Sequence, residues 1–423
     1  MKPVLEKIGC EKERVEIRAQ VHETVGCEKE KQRNLSSSAR IRKINKGIRL
    51  SIDEIVDRNI SKWRGLKLIR GILIFVFILL TACSNQPEKE NSFEAEKTIT
   101  NQQPQPILQK LNVPWAMAKH KDTFYISERD GTIVSWNETT NQLHRSQVKT
   151  TKPIHHEGEG GFLGIELTPN FEESHQAYAY HTYQENGNTF NRVIRIQKNG
   201  ETWDEVASLL EDIPGSTIHN GGRIKIGPDQ KLYVTIGDAA VPENAQNLNS
   251  LSGKILRMEL DGRIPSDNPF KNSYVYTYGH RNPQGLAWDE HGTMYSTEHG
   301  QNAHDEINLI NPGANYGWPI IEGNARQQGM ETPIFQTGNT TWAPSGIQYK
   351  DGKLYIATLR GEKLRIFDLK EKSSTFVRGD FGRIRDVYIE GNNLYFISNN
   401  LDGRGTPAAD DDQLWKIDIK EIK

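Results

Sequence analysis

Cysteine is scarce in this sequence. The 423 residues include three cysteines, Cys10, Cys27 and Cys83, and none follows Cys83. A disulfide framework or a cysteine-ligated metal site therefore cannot stabilise the long region after Cys83. Core packing, or a metal bound through oxygen ligands, must hold that region together.

An excess of charge of one sign is also absent. The chain has 53 lysines and arginines against 55 aspartates and glutamates, which gives a net charge of −2. Proteins that bind nucleic acid carry clustered basic surface. The balance of charge therefore argues against nucleic acid as a partner.

Long hydrophobic runs are absent except for residues 71–82, GILIFVFILLTA. A helix needs about 20 apolar residues to cross a bilayer, so this run fits the hydrophobic region of a secretory signal. Basic residues precede it, and it ends in Leu80, Thr81, Ala82 and Cys83. That order resembles the lipobox of bacterial lipoproteins, whose cysteine is lipidated and begins the mature chain. A short anchor that stays in the membrane is the alternative.

These features predict four segments. Residues 62–82 are interpreted as a lipoprotein signal peptide, and residues 83–110, rich in Gln, Asn and charge, as a flexible tether. Residues 1–61 are charge-dense, and we interpret them as a leader that arises from a mis-assigned start. Residues 111–423 form the folded domain. We expect this domain to be extracytoplasmic and attached to the membrane by a lipid on Cys83.

Helical periodicity is nearly absent, and 36 glycines with 18 prolines supply turns. One pattern recurs, in which a turn is followed by a short apolar strand that carries a tyrosine. The six tyrosines are Tyr125, Tyr178, Tyr233, Tyr295, Tyr355 and Tyr395. Each interval has room for about four strands, which is typical of radial repeats rather than a sandwich or a solenoid. We predict an all-β fold, a six-bladed β-propeller.

Residues 213–238 carry the strongest chemical pattern. His219 comes directly before the sequence NGGR, and a strand-like run at residues 231–236 leads to Gly237 and Asp238. A carboxylate beside an imidazole fixes its tautomer and stabilises its protonated form. We predict that His219 and Asp238 form a general-base pair. A loop histidine that caps its own turn is the alternative.

Charged residues in other glycine-rich loops would converge at one end of a propeller. Glu159 lies in HHEGEGGFLG, Arg281 in YGHRNPQGL, and Arg383 with Arg385 in GRIRDV. Arginine offers planar, permanently charged donors to carboxylates. Several arginines, one histidine and no nucleophilic serine motif indicate an anionic cofactor rather than acyl transfer.

Three further histidines invite a metal interpretation. His280, His299 and His304 lie close together in the sequence, but their spacing matches no zinc pattern. We therefore do not predict a transition-metal site from them.

Two other features are interpreted as structural. Residues 410–412, three aspartates in a row, are expected to form a solvated loop, with calcium binding as the alternative. Trp288 and Trp318 are expected to pack within the blades rather than to bind a sugar.

Residues 111 to 417 resemble the soluble glucose/sorbosone dehydrogenase family, six-bladed propellers that use pyrroloquinoline quinone (PQQ) to oxidise aldose sugars. The motifs that carry this resemblance occur in the family's order. They are VPWAM, EGEGGFLGIELTPNF, HNGGRI, GPDQKLYVTIGD, LSGKILRMELDGRIPSDNPF, YGHRNPQGLAWD, GANYGWP, WAPSG and GRIRDV. The chain resembles most the bacterial aldose sugar dehydrogenase branch.

The resemblance implies roles for individual residues. His219 would remove the proton from the anomeric hydroxyl while hydride passes to PQQ, and Asp238 would orient His219. Arg281 would stabilise negative charge that develops on the reacting oxygen. The implied cofactor-binding residues are Glu159, Arg281, Asn282, Arg360, Arg383 and Arg385.

The resemblance also implies two calcium ions. One would join PQQ to the backbone carbonyls of Gly300 and Gln301 and act as a Lewis acid. The other would be structural and held through Glu306 and the carbonyl of Tyr316. Oxygen ligands of this kind suit calcium.

The sequence thus predicts PQQ- and calcium-dependent oxidation of aldose sugars to lactones, with an unknown electron acceptor. Two alternatives remain open. A calcium-dependent lactonase would need a deep metal held by acidic and asparagine side chains and no arginine cluster. A non-catalytic propeller that binds carbohydrate or protein would have no need for His219 together with Arg281, Arg383 and Arg385.

Overall fold

The computed structural model describes residues 104–422. The predicted leader, signal peptide and lipidated Cys83 therefore lie outside the described residues. Within residues 104–422 no helix is long and apolar enough to span a membrane.

The described residues form 24 β-strands and almost no helix, which confirms the predicted all-β class. One short helix, α1 (Phe171–Ser174), follows β6, and two 3₁₀ segments span Pro242–Gln246 and Ile419–Glu421.

Four of the sheets contain four antiparallel strands each. Three of them are built from strands consecutive in sequence. These are β10 (Ile224–Ile226), β11 (Leu232–Ile236), β12 (Lys254–Met258) and β13 (Val275–Tyr278); β14 (Pro283–Trp288), β15 (Met294–Glu298), β16 (Glu306–Ile310) and β17 (Phe335–Gln336); and β18 (Pro344–Lys350), β19 (Lys353–Thr358), β20 (Leu364–Asp368) and β21 (Ser373–Val377). The fourth joins β1 (Gln105–Leu108) to β24 (Leu414–Asp418), β23 (Asn393–Ser398) and β22 (Ile384–Glu390), in that order.

The fifth sheet has eight strands and consists of two antiparallel halves. One half is β2 (Pro114–His120), β3 (Thr123–Glu128), β4 (Thr132–Asn137) and β5 (Leu143–Lys149), and the other is β6 (Phe162–Leu167), β7 (Gln176–Glu185), β8 (Asn188–Asn199) and β9 (Thr202–Pro214). A short parallel pairing of β5 with β9 joins the halves, and Val148 lies opposite Trp203 there.

The sheets are arranged in a ring. Strand β2 contacts β6, β6 contacts β10, β11 contacts β14, β14 contacts β18, β18 contacts β22, and β22 contacts β2 again. Loops at one end of such a ring surround a common axis. Hydrogen bonding groups the strands into five sheets, so the count of six blades stays a prediction.

The repeated tyrosines mark equivalent positions in the fold. Each lies on the second strand of its group of four, namely β3, β7, β11, β15, β19 or β23, and each is buried. Tyr233, for example, packs edge-on against Trp288 with ring centroids 5.1 Å apart. The packing role predicted for Trp288 agrees with this contact.

The fold begins earlier than the predicted boundary at residue 111. Strand β1 lies inside the segment 83–110 that was interpreted as a tether, yet it hydrogen-bonds to β24. Leu108 is buried in a hydrophobic cluster with Phe124 and Leu414. The first strand thus completes the sheet that holds the last three strands, and joins the two ends of the described chain.

Candidate active site

A cavity lies between the loops that gather at one end of the ring. Its lining includes Trp115, Arg129, Glu159, His299, Arg385 and Arg404. The cavity is narrow and partly open to solvent, with about 20 Å³ available to the centre of a water molecule. Glu159 and Arg385 are thus the two predicted cofactor-binding residues that line it.

The structure brings His219 and Asp238 together. His219 Nδ1 lies 2.7 Å from Asp238 Oδ1. The Asp238 carboxylate is buried and also accepts hydrogen bonds from the Ala240 amide, at 2.9 Å, and the Trp318 indole, at 2.9 Å. Asp238 is therefore fixed from three directions, which holds the His219 ring in one orientation. The catalytic role of the pair stays a prediction.

Trp318 has a different place from the one expected for it. Its indole nitrogen donates to Asp238, and the Arg281 guanidinium lies 5.4 Å from its ring centroid. It therefore contributes to the site, and its interpretation as blade packing was wrong. The reason is that the loop after β16 folds back over the end of β11.

Gly221 lets the His219 loop approach the neighbouring strand. Its backbone has φ +64°, and a Cβ there would lie 2.4 Å from the carbonyl oxygen of Thr235. Its amide donates to Asn282 Oδ1 at 3.1 Å. A side chain at this position would separate the His219 loop from both Thr235 and Asn282.

Arg281 and Asn282 lie beside the cavity. Arg281 Nη1 donates to the His299 carbonyl at 3.3 Å, and the Arg281 amide donates to the Glu298 carboxylate. The structure therefore places the predicted oxyanion-stabilising arginine between Trp318 and the cavity-lining His299.

The three histidines considered above as transition-metal ligands lie in different environments. His280 is buried between Glu298 and Thr277, at 2.8 Å from each. His304 contacts Gln336, and His299 lines the cavity. In residues 104–422 no group of three His, Cys, Asp or Glu side chains is placed to hold a metal.

The predicted carboxylate-binding arginines occupy different environments. Arg385 is buried, donates to Gln284 at 2.8 Å, and lies in the cavity wall. Burial lowers the pKa of Arg385 to about 9, from an ordinary arginine pKa above 12, so the guanidinium stays charged at neutral pH. Arg383 is buried too, but forms an ion pair with Asp402 at 2.8 Å. Arg360 is exposed and lies outside the cavity lining.

Glu159 holds an ionised carboxylate at the cavity. Burial opposes its ionisation, but the Arg404 guanidinium and the His219 amide outweigh burial and lower its pKa to about 2. Both carboxylate oxygens of Glu159 therefore contact protein groups, and binding of the cofactor by Glu159 stays a prediction.

Sequence reasoning missed Arg129, His299 and Arg404. Arg129 donates to the carbonyls of Gly158 and Gly160, and so fixes the glycine-rich loop that carries Glu159. Burial lowers the pKa of His299 to about 4, so this side chain is neutral. Arg129 and His299 each come directly after a tyrosine-bearing strand. That repeated position is the signal that could have found them.

The donor set fits an anionic, oxygen-rich cofactor such as PQQ. Among the described residues, Arg281 Nε, Asn282 Nδ2 and His299 Nε2 are buried without a hydrogen-bond partner. Buried polar groups of this kind are normally satisfied. Arg281 and Asn282, together with the cations Arg129 and Arg385, could donate hydrogen bonds to the carboxylates and carbonyl oxygens of such a molecule.

The residues of the predicted calcium sites have suitable oxygen chemistry. Burial, and then the charge of Glu298, raise the pKa of Glu306 to about 8. The Gly300 and Gln301 amides donate to Asp305 and Glu322, which fixes the loop whose carbonyls were predicted as ligands. A cation near Glu306 would relieve the repulsion between carboxylates. Calcium binding stays a prediction.

Tyr316, whose carbonyl was the other predicted ligand, lies in the same region. Its side chain is buried, its ring stacks on His280 at 4.6 Å, and its hydroxyl donates to the Leu309 carbonyl.

The aspartates at residues 410–412 do not form a uniformly solvated loop. Asp412 is buried and accepts hydrogen bonds from the amides of Asn400 and Leu401 and the hydroxyl of Ser398. The expectation was wrong for Asp412, because its carboxylate caps the end of β23. Burial raises its pKa to about 6.

The family profile for glucose/sorbosone dehydrogenases matches residues 111–406, and the chain belongs to that family. It is 34% identical over 283 residues to quinoprotein glucose dehydrogenase B of Acinetobacter calcoaceticus, a match that covers 58% of each chain. It is 28% identical over 237 residues to aldose sugar dehydrogenase YliI of Escherichia coli, covering 53% of this chain and 63% of that protein. The chain therefore spans less than two thirds of the length of these two curated relatives.

Among solved structures, the PQQ-bound aldose sugar dehydrogenase from Streptomyces coelicolor is similar to this chain. It is 36% identical, with a TM-score of 0.71 over 77% of this chain and 99% of that chain.

Proposed function

We propose that this protein oxidises aldose sugars at the anomeric carbon, with PQQ as the electron acceptor in the site. The observation that carries the proposal is the His219–Asp238 pair beside a cavity lined by three arginines and flanked by buried donors that have no partner among the described residues. The names of the relatives, quinoprotein glucose dehydrogenase and PQQ-bound aldose sugar dehydrogenase, support it.

His219 is the proposed base. Because Asp238 occupies Nδ1, the ring presents Nε2 to the anomeric hydroxyl and takes its proton there. Asp238 stabilises the imidazolium that results. The substrate loses this proton from the anomeric hydroxyl oxygen and a hydride from the anomeric carbon, so that a carbonyl forms and the sugar becomes a lactone.

The bound groups supply the remaining chemistry. PQQ, when bound, would supply a quinone able to accept the hydride, and the backbone carbonyls of Gly300 and Gln301 would hold a calcium ion that supplies Lewis-acid chemistry. The charge of Arg281 would stabilise negative charge that develops on the reacting oxygen. Arg385 would pair with a carboxylate of the cofactor.

Reconstitution tests the proposal directly. The purified protein is loaded with PQQ and calcium and mixed with a panel of aldoses, and reduction of a dye and formation of lactone are measured. Sugar-dependent reduction that requires PQQ is expected. A protein that binds PQQ yet is reduced by none of the sugars would contradict the proposal.

The same assay separates the two alternatives. A lactonase would hydrolyse added lactones with calcium alone and without PQQ. A binding module would bind a sugar or a protein but would neither oxidise aldoses nor hydrolyse lactones. The cluster of arginines at the cavity gives no support to either alternative.

We further propose that the domain is held at the outer face of a membrane by a lipid on Cys83. This rests on the sequence LTAC after a short apolar run. Mass spectrometry of membrane fractions should find a diacylglyceryl-cysteine at Cys83. An intact peptide across Ala82 and Cys83 as the main species would contradict it.

A further inference from the structure

Glu159 connects the proposed base to the opposite end of the described chain. Its Oε2 accepts the backbone amide of His219 at 2.8 Å, and its Oε1 accepts from Arg404 Nη1 at 2.7 Å. Glu159 and Arg404 are 245 residues apart in sequence and both line the cavity. One carboxylate therefore links the loop of His219 to the loop between β23 and β24.

His219 needs such support because its backbone conformation is unfavourable. Its φ is +57°, in the left-handed region that residues other than glycine rarely adopt. Conformations of this kind persist only where surrounding contacts fix them. Two contacts from one loop do so here, since the Glu159 amide donates to the Thr217 carbonyl at 2.7 Å and its carboxylate accepts the His219 amide.

Arg404 comes from a loop that is itself fixed. The Arg404 amide donates to Asp402 Oδ1 at 2.9 Å, and Asp402 pairs with the buried Arg383. Asn400 and Leu401, at the start of the same loop, donate their backbone amides to the carboxylate of Asp412 near its end. The Arg404 guanidinium is thus presented to Glu159 by an anchored backbone rather than by a free loop tip.

We propose that Arg404 is a positioning residue for the His219 base and that it acts through Glu159. Its charge keeps the Glu159 carboxylate ionised and directed at the His219 amide, and this keeps the imidazole aligned with the substrate. The effect on rate depends on the proposed function. The effect on the His219 backbone does not.

The first measurement uses the protein without cofactor. Hydrogen exchange is followed by mass spectrometry on the peptide that contains residues 215–221. Arg404→Ala should speed exchange of the His219 amide several-fold, because Glu159, which accepts that amide, loses its ion-pair partner. Arg404→Lys should restore much of the protection. Arg263→Ala is the matched control, since Arg263 also pairs with a carboxylate but is 79% exposed and belongs to another loop.

The second measurement is the rate at which sugar reduces bound PQQ, followed by stopped flow. Arg404 is 47% exposed and the pair is partly solvated, so Arg404→Ala should lower the limiting rate by up to about fivefold. The sugar concentration for half-maximal rate should change less. Glu159→Gln should have a similar effect, and adding Arg404→Ala to it should lower the rate no further.

The outcomes are distinct. Unchanged exchange at residues 215–221 in Arg404→Ala would overturn the inference, whether or not the protein oxidises sugars. Additive losses in the double variant, or a loss confined to PQQ affinity, would show that Arg404 acts on the cofactor and would overturn it as well. Failure of the wild-type protein to oxidise sugars, with exchange altered as expected, would instead contradict the proposed function.

Discussion

The two halves of the candidate site differ in how far the protein satisfies their polar groups. On one side, His219 Nδ1 meets Asp238, whose two oxygens accept further donors. On the other side, Arg281 Nε, Asn282 Nδ2 and His299 Nε2 are buried with no partner among the described residues. Buried donors that stay unpaired cost free energy. The base half is therefore built by the protein alone, whereas the second half calls for bound groups to complete it.

Charge distinguishes the two halves as well. The Asp238 carboxylate has three partners, and Glu159 is matched by Arg404. In the second half, the hydrogen-bond acceptors of Arg385 within residues 104–422 are the neutral groups of Gln284, Ser345 and Asn399, and Glu306 lies near Glu298. An anionic cofactor and a cation would each offset one of these imbalances. Changes in the base half should then alter turnover, whereas loss of Arg385 or of a proposed calcium ligand in the second half should alter binding.

The largest effect is expected for His219→Ala. A positioned base contributes about 10²- to 10⁴-fold, so reduction of bound PQQ by sugar should slow by that factor. PQQ affinity should stay the same, because the cofactor depends on the second half. Stopped-flow spectroscopy measures the first quantity and titration the second. His291→Ala, which removes an 81% exposed histidine, is the control.

A near wild-type rate in His219→Ala would mean that the base half is only a structural pair.

Arg385→Ala should have the reverse profile. Loss of a charge-assisted contact of about 1.5 to 3 kcal/mol should weaken PQQ binding by about 10- to 150-fold. At saturating PQQ the rate should change much less. The measurement is a PQQ titration, with a thermal melt to verify folding, since Arg385 is buried. Unaltered affinity would place the cofactor elsewhere.

Calcium bound in the second half of the site should stabilise the folded protein. A ligand at 100 times its Kd stabilises the folded state by about 2.7 kcal/mol, so a chelator should lower the Tm. Glu306→Gln should reduce this sensitivity, because it removes one of the proposed oxygen ligands. A chelator that leaves the wild-type melting curve unchanged, after verified metal removal, would exclude an accessible structural calcium site.

The same division explains what the sequence could predict. The tyrosine-bearing strands and the His219–Asp238 pair depend on local patterns, because one hairpin, β10 and β11, separates His219 from Asp238. Strand β1 was missed because four residues, Gln105–Leu108, are too few to show an alternating pattern.

Contacts between distant loops could not be predicted. Glu159 meets Arg404, and Trp318 meets Asp238, only because the ring brings their loops to one end. Asp412 was misjudged for the same reason, since its burial depends on how β23 ends. Each of these contacts depends on tertiary arrangement, about which neighbouring residues carry no pattern.

The smallest effect is expected for Arg360→Ala, which sharpens the comparison within the second half. The sequence predicts that Arg360 binds the cofactor, whereas the structure places it exposed and outside the cavity lining. Exposed substitutions usually change free energy by less than about 0.5 kcal/mol, so PQQ affinity should change by about twofold or less. The same titration as for Arg385→Ala gives a direct ratio between a buried and an exposed arginine. An equal loss of affinity in both variants would mean that the loop after β19 moves over the cavity when the cofactor binds, and that Arg360 contacts PQQ as predicted.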